Sequence, residues 1–106
     1  MENVSEYDER QLILMLEHLT SFEKKQIDLS SLVGSLEFLL NALETVDTEW
    51  EENFLKEITT LETANALTII KESGEQIAEI QAEKREKLIK HSTETLKSII
   101  NRKLNK

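Results

Sequence analysis

Residues 29–44 read LSSLVGSLEFLLNALE, directly after Asp28. Leu29, Leu32, Val33, Leu36, Leu39, Leu40 and Leu43 recur at steps of three and four, so they share one face of an α-helix. Asp28 or Ser30 can cap its start. Gly34 interrupts the helix at a cost of ~1 kcal/mol relative to alanine. Close approach of a second helix is the simplest reason for a glycine there. One continuous leucine face must be covered, and the flanking sequence decides by what.

The flanks are helical too. Upstream, a pattern runs from about residue 6 to 22, with Ser5 as cap and Asp8 three residues on in a capping-box arrangement. Leu12, Met15, Leu16 and Leu19 form its stripe, and Ile13 and Leu14 widen it enough to touch two neighbours. Phe22 then leads into a turn, EKKQ. Downstream, Asp47 or Thr48 begins a third helix over about 48–72, and Thr48 with Glu51 fits a capping box. Trp50, Phe54, Ile58 and Leu61 are its apolar positions, with Leu67, Ile69 and Ile70 beyond, and Ser73–Gly74 is a plausible stop. The last segment, about 75–104, is mostly polar with a thin seam. Ile77, Leu88 and Ile99 are eleven residues apart, as are Ala78, Ile89 and Ile100, with Ile80 and Leu96 between. This helix could break near Ser92 or Thr93, and its polar middle suggests less burial than the other three.

No stretch alternates apolar and polar residues as a strand does. The chain has no proline and only two glycines, Gly34 and Gly74, too few turn formers for a β-sandwich. With 106 residues it is long enough for one domain with a modest core. The expectation is an all-α fold over residues 1–106: a compact bundle of three to four helices with a long polar C-terminal helix.

Composition narrows the function. There is no cysteine, so disulfides, thiolate metal sites and cysteine nucleophiles are absent. The opening MENVSEYDER lacks a basic start followed by an apolar run, so no secretory signal is expected. The longest apolar run, Leu12 to Leu16, is far below the ~18 residues that span a bilayer. A cytoplasmic protein with no membrane partner is the expectation. The net charge of −8 is uneven: residues 1–74 carry sixteen acids and five bases, residues 75–106 five acids and eight bases. Such an acidic body repels phosphates, so no direct nucleic-acid partner is expected, and it attracts basic proteins.

No enzyme signature is present, and neither catalytic residues, a metal site nor a cofactor is expected. His18 and His91 lack a Glu-x-x-His or His-x-x-x-His partner. No serine lies in a Gly-x-Ser-x-Gly turn, and two glycines forty residues apart cannot build a phosphate loop. Lys84, Arg85, Lys87 and Lys90 alternate with Glu83 and Glu86, as on a solvated helix. The feature left over is acidic. Glu44, Asp47, Glu49, Glu51, Glu52, Glu57 and Glu62 fall within nineteen residues whose only base is Lys56, with Trp50 among them. The helix dipole favours Glu49, Glu51 and Glu52 in a first turn but does not account for Glu44, Glu57 or Glu62. These seven acids and Trp50 are the candidate partner-binding residues: carboxylates to steer and pair with a basic partner, the indole as anchor. Trp50 could equally pack under the second helix, near Val46.

Residues 27–62, IDLSSLVGSLEFLLNALETVDTEWEENFLKEITTLE, resemble small bacterial immunity proteins encoded beside contact-dependent growth inhibition or other polymorphic toxins. The resemblance is carried by Asp28-Leu29-Ser30, the leucine-rich core from Leu36 to Leu43, and Val46-Asp47-x-Glu49-Trp50. It covers about one third of the chain and ends after Leu61. It implies a protein that binds and neutralises a cognate toxin, in many cases a basic nuclease domain, by occluding it through an acidic helical surface. The alternative is a helical adaptor or oligomerisation module, a homodimer through the C-terminal helix, whose association would survive high salt.

Overall fold

The structure, a computed structural model, describes the backbone of residues 5–72 and 79–105 and the side chains of residues 5–66 and 83–104. Among the described residues it is all-α, with four helices: α1 (Glu6–Glu23), α2 (Leu29–Ala42), α3 (Thr48–Glu72) and α4 (Glu79–Asn105). Each packs on its neighbour in sequence, and α4 closes against α1. The apolar stripes meet in one core, which includes Leu12, Met15, Leu19, Leu32, Leu36, Phe54, Ile58, Leu61, Leu96 and Ile100.

Local chemistry fixes the helix ends. Ser5 caps α1, its hydroxyl accepting from the Asp8 amide at 3.1 Å. The α1 exit is a Schellman turn: the Lys25 amide donates to the Phe22 carbonyl and the Gln26 amide to the Ser21 carbonyl, with Lys25 in the left-handed region at φ 63°. Asp28, not Ser30, caps α2, and the Ser31 amide it accepts at 2.8 Å holds its carboxyl below the ordinary range. Asp47 caps α3 through the Trp50 amide, so Thr48 already lies inside the helix and the Thr48–Glu51 box does not form.

The fourth helix differs most from expectation. It runs unbroken through Ser92 and Thr93, both buried, and the Thr93 hydroxyl donates back to the Lys90 carbonyl. Its C-terminal half is core: Leu96, Ile99 and Ile100 are buried. The seam that could have joined a second copy is there occupied by the chain's own helices. The thin apolar stripe misled because three residues per two turns suffice when two neighbours converge on them. Leu88, further up the seam, is exposed. Ser73–Gly74, Ile77 and Ala78 lie outside the described residues, as do the side chains of Leu67, Ile69, Ile70 and Ile80.

At 1.5 Å per residue α3 and α4 are ~40 Å long and α2 ~20 Å, which gives the molecule extents of 50 × 23 × 20 Å. Ser30 and Asn65 bond each other, and the Arg85 Nε–H donates to the Ala64 carbonyl. Both contacts mark the level at which α2 begins; α3 continues past it to Glu72.

Two expectations about small surfaces are corrected. Ile13 and Leu14 are exposed, so they do not widen the α1 stripe, yet α1 still touches two neighbours, α2 and α4, as expected. Gly34 is exposed, and a Cβ built there meets nothing within 4 Å, so no helix approaches it. Gly34→Ala should therefore raise stability by about 0.5–1 kcal/mol through the backbone entropy of the unfolded chain. Urea unfolding checks this; a loss of stability would mean that the glycine accommodates something pressed against α2.

Candidate functional site

Glu44, Asp47, Glu49, Trp50, Glu51 and Glu52 lie at the end of the bundle where α2 hands over to α3, whereas Glu57 and Glu62 lie further along α3. The handover is organised by Asp8, which does not reach back to Ser5. Its side chain is fully buried and turned across the bundle. It accepts the Glu44 amide at 2.9 Å, the Thr45 amide at 2.7 Å and the Thr45 hydroxyl. Burial pushes this carboxyl up, but the Thr45 hydroxyl and the two amides outweigh it and hold it below the ordinary carboxylate range. A negative group inside the first turn of α1 thus fixes the start of the loop that leads into the acidic segment. Leu43, in extended conformation, ends α2 there without a glycine.

Trp50 belongs to the interior. It packs partly buried against the core, its ring stacked on Phe54 with centroids 5.1 Å apart. Its indole N–H donates to the Ile99 carbonyl of α4 at 3.3 Å. The Lys103 ammonium lies 5.8 Å from the ring centroid and 3.5 Å from the Asp47 carboxylate. The indole therefore joins α3 to α4 rather than packing under α2 near Val46. Its polar end is satisfied within the chain.

The carboxylates divide by helical position. Glu57 is seven residues from both Trp50 and Ala64, which touch α4, so it lies on the α4 flank, half-buried. Glu51 and Glu62, eleven residues apart, share the opposite stripe, which faces α2. There Glu62 meets Glu37 of α2 carboxyl to carboxyl. The hydrogen bond that Glu37 donates to Glu62, burial and the charge of Glu62 together raise Glu37 above its ordinary 4.5. A raised acid stabilises the fold fully below its unfolded value, and that contribution is lost as pH rises through the folded value. Glu44, Asp47, Glu49, Glu52 and Glu62 are exposed, and Glu51 is half-buried.

From Gln26 to Leu55 the chain contains seven carboxylates and no Lys, Arg or His. Among the described residues the ion pairs are Arg85–Glu86, Lys97–Glu23 and Lys103–Asp47. Of the seven candidate acids only Asp47 meets a cation among the described residues. Among the described residues no cluster of His, Asp and Glu could hold a metal ion, and no helix is long and apolar enough to cross a membrane.

Sequence reasoning passed over two residues that matter here. Asp8 carried a capping signature that concealed its reach across the bundle. Phe38 lies off the α2 leucine stripe; a large aromatic out of phase with the apolar period is itself a signal of surface use. No family model, curated protein or solved structure matches the chain.

Proposed function

We propose that this chain is a binding protein of the immunity type: it neutralises a basic protein toxin, in the cytoplasm of the cell that makes both, by covering it. The observation that carries this reading is that, among the described residues, Glu44 in the α2–α3 loop and Glu49, Glu51, Glu52, Glu57 and Glu62 on α3 meet no cation, while the other side of α3 is fixed in the core. Carboxylates not paired within their own chain steer a basic partner and pair with it on contact. The mechanism is occlusion, with no bond made or broken. The adaptor reading has less to draw on, because Leu96, Ile99 and Ile100 of the C-terminal seam are buried in the chain's own core.

Co-expression with the protein encoded by the adjoining reading frame, its catalytic residue removed, tests this. A stable complex is expected. Reversing Glu49, Glu51 and Glu52 together to lysine should slow association at least about tenfold. Because Glu49 and Glu51 lie in the first turn and favour the start of α3 by ~0.3–1 kcal/mol each, while Glu52 falls beyond it, the Glu44→Lys/Glu62→Lys pair provides a reversal outside the first turn. Circular dichroism should show both variants still helical. Unchanged capture by both would remove this face as the contact.

A further inference from the structure

Phe38 is the most exposed large apolar side chain among the described residues, with 73% of its surface open. It contributes nothing to the core of its own chain. On α2 it follows Glu37, which faces the α2–α3 seam, and a further ~100° of rotation turns it outward. Gly34, one turn earlier, presents no side chain, and no atom comes within 4 Å of a Cβ built there, so the Phe38 ring does not fold back onto that turn.

Across the seam, Leu55 is also exposed. It lies four residues after Glu51 and seven before Glu62, on the stripe of α3 that faces α2. The contacts Ser30–Asn65 and Glu37–Glu62 fix the antiparallel register of the two helices. Leu55 thus opens on the α3 side of that seam beside Glu51 and Glu62, while Phe38, ~100° further round α2 than Glu37, stands on the outer face of α2.

We infer that Phe38 is the apolar anchor of a docking surface for a basic protein, inserting into an apolar pocket rimmed by lysine or arginine that meets the carboxylates of the neighbouring α2–α3 seam. The inference rests on the immunity reading and moves the anchor away from Trp50, whose indole N–H is engaged by Ile99. Charge selects the occupant. A second copy meeting this face about a twofold axis would set carboxylates against carboxylates. Nucleic acid and anionic lipid carry the same wrong sign. A basic protein answers the carboxylates and buries the ring, and a desolvated aromatic inside a charged rim is how interface energy concentrates.

The test is calorimetric titration of wild type and Phe38→Ala with the adjoining frame's protein, its catalytic residue removed. The expected result is a loss of affinity of about 30-fold or more, with an unchanged melting curve because the ring supports no core. Phe38→Leu should recover part of the loss. A Phe38→Ala complex within about threefold of wild type overturns the anchor and leaves the immunity reading standing. No complex with wild type overturns both. Sedimentation of the isolated chain as a dimer that Phe38→Ala dissolves would assign the face to a second copy and also overturn the inference.

Discussion

Replacing Asp8 by alanine should lower the unfolding free energy by about 4 kcal/mol, enough to leave a small domain close to unfolding. The carboxylate answers two backbone amides and a hydroxyl in a place from which water is excluded. Removing it leaves those part-buried donors without their acceptor, and each costs about 1–3 kcal/mol where water does not replace it. The dependence on pH follows from the lowered pKa. A depressed acid stabilises the fold fully above its unfolded value, near 3.8, and the contribution is lost as pH falls through the lower folded value. The gap between wild type and Asp8→Ala should therefore be wide at neutral pH and narrow as pH falls below about 4. Urea unfolding at neutral pH and at pH about 3 measures both ends. A gap under about 1 kcal/mol at neutral pH, or one indifferent to pH, would show that Asp8 does not hold the α2–α3 loop.

The second large effect concerns α4. Leu96 is fully buried among residues of the other helices, whereas Leu88, two turns earlier on the same helix, is exposed. Leu96→Ala should cost about 3 kcal/mol through lost burial and the cavity left behind. Leu88→Ala should change stability by no more than about 0.5 kcal/mol. Chemical denaturation of the two variants separates them. Equal effects would return α4 to the place its composition suggested, an extension outside the core.

These two residues show where the sequence was and was not enough. The leucine stripe of α2 identified its buried face correctly, because a helix buried on one side repeats its contacts every turn. The caps at Ser5, Asp28 and Asp47 were among the candidates for the same reason: a helix start is a local event decided within four residues. Asp8 was misread because its partners are thirty-six and thirty-seven residues away, and no local pattern encodes so distant a contact. The polar look of α4 concealed its role because burial at one end was averaged with exposure at the other. Gly34 was assigned a packing role that nothing in its surroundings supports. The acidic segment was visible as composition, but its division was not. Only the packing of α3 between α2 and α4 sends Trp50 inward, Glu57 to one flank, and Glu51 and Glu62 to the other.

The binding reading itself turns on whether unpaired carboxylates guide the encounter. Stopped-flow association of the purified chain with the inactivated product of the adjoining frame, from ~20 to ~500 mM salt, shortens the screening length from tens of ångströms to a few. The association rate should fall at least about tenfold across that range while dissociation changes little. A rate indifferent to salt would contradict the acidic face as the surface a basic partner meets.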